Sequence, residues 1–128
     1  MTDPLIEHPH MTLSTTLAGS VAVLSVSGDV DMSSAPLLEK KALDLLDADH
    51  SGLVVDLSAV DFLASMGIAL LVELSKRAPG NFAFAVVARG SATARPLEML
   101  GLGDVLSIYP HLEEALAALE GASEDSPE

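Results

Sequence analysis

Hydrophobic residues along this chain fall in short blocks, and the spacing within the blocks changes from strand-like to helical and back. Residues 11–18 read as a strand, and residues 21–26 as a second one with period-two alternation. Gly19-Ser20 between them is a tight-turn pair, so the two predict an N-terminal hairpin. Residues 53–57 (Leu-Val-Val-Asp-Leu) form a nearly continuous apolar run of the kind found in a central strand buried on both faces. Residues 82–87 repeat that pattern, and residues 105–109 predict a short further strand.

Helical spacing lies between these runs. Leu38, Ala42, Leu45 and Leu46 share one helical face, while Glu39, Lys40, Asp44 and Asp47 lie elsewhere. That helix starts within Met32-Ser33-Ser34-Ala35-Pro36, where a serine cap and an early proline suit a helix start. Gly28-Asp29-Val30-Asp31 before it reads as a turn. A second helix opens at Ser65 and runs to about Arg77, ended by Pro79-Gly80-Asn81. Residues 91–100 are mostly helical, with Pro96 near the first turn and Gly101 as the stop. Leu112, Ala115, Leu116 and Leu119 make the apolar stripe of a last helix. The order β-β-α-β-α-β-α-β-α predicts one α/β domain, a mixed sheet with an N-terminal hairpin and helices packed on it. We place that domain at residues 11–120, after a flexible lead-in over 1–10 and before an acidic tail over 121–128 that cannot pack.

Charge narrows the function classes. With 19 acidic and 6 basic residues the net charge is −13, which opposes nucleic acid and anionic membrane surfaces and suits a basic partner or simple solubility. There are no cysteines, so disulfides, thiolate metal sites and thiol catalysis are excluded. The apolar run over residues 62–72 is too short to span a bilayer. No basic segment with an apolar h-region opens the chain, so a cytoplasmic location is expected.

The histidines, at 8, 10, 50 and 111, include no pair at metal-ligand spacing on one helix, and we expect neither metal nor cofactor. Ser65 on a strand–turn–helix junction invites comparison with a hydrolase nucleophile. That elbow needs glycines two residues to either side, and Leu63 occupies one of those positions. Asp29 and Asp31 resemble the paired aspartates of phosphoryl-transfer enzymes, but lack the lysine and further carboxylates that hold magnesium. Asp56 ends a strand as in receiver domains, yet the leading hairpin and the absence of a lysine after Lys76 contradict that topology. Ser65 itself has two readings. It is an ordinary N-cap of a sandwiched helix, or it marks an exposed apolar docking surface with a possible charge at its centre.

Three blocks now carry a resemblance. They are Val26-Ser27-Gly28-Asp29-Val30-Asp31; Leu53-Val54-Val55-Asp56-Leu57-Ser58-Ala59-Val60-Asp61-Phe62-Leu63; and Ala64-Ser65-Met66-Gly67-Ile68. In this order and spacing the chain resembles STAS domains, specifically bacterial anti-sigma factor antagonists of actinobacterial type, to which Val86-Val87-Ala88-Arg89-Gly90-Ser91 is also similar. In that family the helix-opening motif is commonly Asp-Ser-Ser/Thr-Gly-Leu, and its first serine is phosphorylated by the cognate anti-sigma factor, a serine kinase. Ser65 falls on that position, with Ala64 in place of the aspartate and Met66 in place of the second hydroxyl residue.

The resemblance implies a binding protein, not an enzyme. Its partners would be a kinase-type anti-sigma factor and a phosphatase that resets Ser65. Gly28, Asp29, Asp31, Ser33, Ala64, Ser65, Met66 and Gly67 would form the partner-binding face. Asp29 and Asp31 would either hold partner arginines or lysines or only shape their turn. Two other functions stay open: a non-phosphorylated STAS adaptor in a signalling or transporter-associated complex, and a small-molecule or nucleotide module.

Overall fold

In a computed structural model, described here for residues 5–124, six strands form one sheet in the order β1-β2-β3-β4-β5-β6. The strands are β1 (Ile6–His8), β2 (Met11–Ala18), β3 (Val21–Val30), β4 (Gly52–Leu63), β5 (Ala83–Val87) and β6 (Ile108–Tyr109). The helices are α1 (Ala35–Asp47), α2 (Ser65–Arg77), α3 (Ala94–Met99) and α4 (Leu112–Glu124), with a 3-10 turn at Leu102–Asp104. β1, β2 and β3 pair antiparallel, and β3, β4, β5 and β6 pair parallel, so the sheet is mixed as expected.

Alternation explains the two cores. β3 to β5 are buried on both faces because helices cover both. Leu24, Val26, Leu53, Val55 and Val86 point toward one face, packed with Leu38, Leu71 and Leu97 of α1, α2 and α3. Their neighbours Val23, Val54, Ala85 and Val87 point to the other face and meet Ala115 and Leu119 of α4. α1 and α2 lie side by side.

Four boundaries differ from the sequence reading. The lead-in is not all irregular: Ile6–His8 pair with Met11–Leu13 as β1, an edge strand whose flanking prolines hide it from composition. The Gly28–Val30 stretch, read as a turn, continues β3, because Gly28 pairs with both Met11 and Val60. Of the strand read at 105–109 only Ile108 and Tyr109 form β6; residues 105–107 are the irregular exit from the 3-10 turn that precedes them. At the other end, helix α4 runs through Glu124, four residues into the segment read as a tail, while residues 125–128 lie outside the described residues.

β4 is also longer than its apolar run. Pairing with β3 slips between Ser25 and Ser27 and again between Gly28 and Asp29, so two bulges carry β4 on to Leu63. Bulges break period-two alternation. Leu57, Val60 and Leu63 are the buried positions of this stretch, three residues apart. β5 stops opposite Asp56, so residues beyond it on β4 pair only with β3 and form an arm past the end of β5.

Among the described residues one buried side-chain group lacks a partner. Thr15 is 3% exposed and its Oγ1 has no hydrogen bond. Thr15→Val keeps the shape and removes the unsatisfied hydroxyl, so we expect about 1 kcal/mol of added stability. A thermal melt checks this, and an unchanged or lower Tm would contradict it.

Candidate functional site

The arm ends where β3 hands over to α1 and β4 to α2. The Ala64 amide donates to the Val30 carbonyl at 2.9 Å, which ties the two junctions together. Gly67, in the first turn of α2, is buried against Val30, and a Cβ there would lie 2.8 Å from Val30 Cγ1 and 2.9 Å from Leu63 Cδ1. The glycine therefore lets the helix start sit directly on β3. Gly28 has a positive φ of 91°, and a Cβ there would collide with the His10 carbonyl oxygen. Both glycines serve close backbone approach.

Ser65 is not the cap of its helix. Ala64, with φ −72° and ψ 162°, holds the N-cap position, and no side chain caps it. Ser65 is the first helical residue; its side chain is exposed and its hydroxyl has no hydrogen-bond partner among the described residues. The Ala64 carbonyl accepts from the Gly67 and Ile68 amides, while the amides of Ser65 and Met66 precede the first helical acceptor.

The loop before α1 is held by Asp31. Its Oδ1 accepts from the Ser33 amide at 2.9 Å, the Ser33 hydroxyl at 2.8 Å and the Ser34 amide at 3.1 Å. Ser34 is fully buried; its Oγ accepts from the Asp31 amide at 2.9 Å and donates to the Asp29 carbonyl at 2.8 Å. The serine cap expected for α1 is thus replaced by an aspartate acting from before the helix. Bonding to the Ser33 hydroxyl, above all, and to the Ser33 and Ser34 amides lowers the Asp31 pKa from its ordinary 3.8.

A depressed folded pKa means this contribution is complete above 3.8 and is lost as pH falls through the lower folded value. We expect the Ser33 and Ser34 amide signals in NMR to hold still from neutrality down to about pH 5, above the aspartate titration range, and then to move with a midpoint below 3.8. Movement of both amides between neutrality and pH 5 would contradict the carboxylate clamp.

Large apolar residues at the two junctions are exposed. Met32 is 76% exposed, Phe62 53% and Met66 44%. Phe62 pairs with Asp29 on the arm, and Met32 follows Asp31 in the loop. Met32 and Phe62 were not singled out as site residues from the sequence. The only signal was a large apolar side chain beside an aspartate at each place. Of the residues that were, Asp29 and Ala64 are half-buried, Ser33 is exposed and Gly67 is buried. The junction brings all eight to one end of the molecule. No group of three or more His, Asp or Glu side chains forms a cluster among the described residues, and no helix among them is long and apolar enough to cross a membrane.

Comparison with known proteins places the fold. The family model of the STAS domain matches residues 12–115. The anti-sigma-F factor antagonist RsfB of Mycobacterium tuberculosis is 38% identical over 105 residues, covering 82% of this chain and 86% of that protein. The crystal structure of an anti-sigma factor antagonist from Mycobacterium paratuberculosis superposes with a TM-score of 0.85 at 38% identity, over 90% of this chain and 99% of that one. The Bacillus cell fate determinant SpoIIAA in its phosphorylated form shares the fold alone, with a TM-score of 0.65 at 13% identity over 84% of this chain and 98% of that one.

Proposed function

The chain belongs to the STAS domain family, and from that premise we propose that it is an anti-sigma factor antagonist. It binds an anti-sigma factor, frees the sigma factor that partner held, and is switched off by phosphorylation of Ser65. The observation that carries this reading is the Ser65 hydroxyl: exposed, unbonded among the described residues, and set at a junction that also leaves Met32, Phe62 and Met66 exposed.

The chemistry belongs to the partner, a serine kinase. The Ser65 oxygen attacks the γ-phosphorus of ATP, its proton passes to a base of the kinase, and ADP leaves. The antagonist is the phosphate acceptor and binding partner, not the catalyst. Phosphoserine adds roughly −1.5 to −2 charges at neutral pH. The unpaired first amides of α2 favour an anion at its N-terminus. The surrounding apolar surface must lose water to bind, and a phosphate at its centre opposes that step. A phosphatase restores the hydroxyl and the binding surface.

Within this reading the candidate residues divide by what they touch. Gly28, Asp31, Ser33 and Gly67 hold the shape of the face, since Asp31 and Ser33 bond each other and both glycines admit close backbone contact. Asp29, Ala64, Ser65 and Met66, with Met32 and Phe62, meet the partner. Incubation with ATP and each anti-sigma kinase of the same organism, followed by intact-mass and peptide mapping, tests the proposal. One phosphate on Ser65 with loss of the complex is the expected result. Stable binding without phosphate would leave a constitutive antagonist, and neither binding nor phosphate would refute the role.

A further inference from the structure

The seam between α1 and α2 carries two clefts on the molecule's outer surface. The first, of about 380 Å³, lies toward the helix N-termini and is lined by Pro36, Glu39, Met66, Ala69 and Glu73 among others. The second, of about 360 Å³, lies toward the C-termini, between Leu43, Leu46, Asp47, Arg77 and Pro79. Pro36 and Leu43 are seven residues apart on α1, about 10.5 Å at the helical rise of roughly 1.5 Å per residue. That spacing matches side chains at i and i+7 on a helix laid along the furrow.

Carboxylates stand around this apolar floor. Glu39, Glu73 and Asp47 line the clefts, and the one arginine there, Arg77, is bound to Glu73 at 3.0 Å. We propose that the α1–α2 furrow receives a basic amphipathic helix of the anti-sigma factor, with two apolar anchors two turns apart and lysines or arginines beside them. The inference rests on the antagonist reading and extends it, because Met66 borders both Ser65 and the first cleft. A second copy of the chain would set the same acidic rim against itself in a symmetric contact, which like-charge repulsion disfavours. The overall charge of −13 acts the same way.

Calorimetric titration of the full chain with the anti-sigma factor tests the furrow through variants remote from Ser65. Ala69 is exposed, so Ala69→Arg fills the first cleft without disturbing the core. We expect it to weaken binding at least about tenfold, as loss of an interface anchor does. Glu39→Lys is expected to weaken binding several-fold at low salt and less at high salt, through lost charge pairing. Glu113→Lys, on α4 and away from the furrow, serves as the control for net charge. Unchanged affinity in Ala69→Arg, with Ser65→Glu still impaired, would overturn the furrow and leave the Ser65 face standing. Equal weakening by Glu39→Lys and Glu113→Lys would also overturn it, as would a dimer of this chain that Ala69→Arg makes monomeric.

If no anti-sigma factor binds the parent chain, the antagonist reading fails, and a synthetic probe decides the furrow separately. The probe is a 15-residue helical peptide with leucines at i and i+7 and flanking arginines. Saturable amide shifts in the full chain, confined to α1 and α2 and lost in Ala69→Arg, would support the furrow, and their absence would overturn it.

Discussion

Ser65→Glu is expected to weaken the complex with the anti-sigma factor by about 30- to 1000-fold, equivalent to roughly 2–4 kcal/mol. The glutamate places a carboxylate at the junction that also leaves Met32, Phe62 and Met66 exposed in the free protein. Binding removes water from that carboxylate, and only a partner cation placed beside it would compensate. The positive end of α2 stabilises the anion in the free and bound states alike, so it does not offset the desolvation. Ser65→Ala should bind within a few-fold of the parent and ignore ATP, since the Ser65 hydroxyl has no bond among the described residues for the alanine to break. Titration of all three proteins against one anti-sigma factor, with matched thermal melts, reads the effect directly. Equal affinity for parent and Glu variant would sink the charge switch.

Gly28→Ala should lower stability by about 2–5 kcal/mol, adding left-handed backbone strain to a steric clash with the turn between β1 and β2. Its φ of 91° lies where side chains are strained, and the new Cβ would meet the backbone of His10, which cannot rotate away. Two other glycines calibrate the size. Gly19 has φ 62° but open space around it, so Gly19→Ala should cost only about 1–2 kcal/mol. Gly67→Ala meets side chains of Val30 and Leu63 within an ordinary helix and should cost about 1–3 kcal/mol. Urea unfolding of the three variants orders them. A Gly28→Ala loss no greater than that of Gly19→Ala would refute the packing argument. A loss of this size at Gly28 would also release the Asp29 amide from the His10 carbonyl, now bonded at 2.7 Å, and so loosen the partner face.

The strand β2 and the helix α2 were legible because each follows one period from end to end. Met11–Ala18 and Ser65–Arg77 coincide with the sequence reading at both boundaries. The arm was not legible. Bulges turn the buried positions of β4 to a spacing of three, which matches neither strand nor helix, and Gly28-Asp29 has the composition of a turn although both residues pair with β4 and Gly28 also pairs with β2. Capping was misplaced for a related reason. Serine, aspartate and alanine before a helix are distinguished by local hydrogen bonds, and here Asp31 takes the serines' amides while Ala64 begins α2 without a side-chain cap.

From its sequence alone, this protein's fold class, the cover on both faces of its central strands and the place of Ser65 at the head of an apolar helix were determined. Those are properties of local periodicity and composition. Exposure was decided by the tertiary structure. β5 ends opposite Asp56 while β4 continues to Leu63, so Phe62 lies on an arm beyond the neighbouring strand and remains half open to water. Whether an apolar side chain is core or docking surface depends on where its neighbours stop, and that is a contact between distant segments that no local pattern encodes.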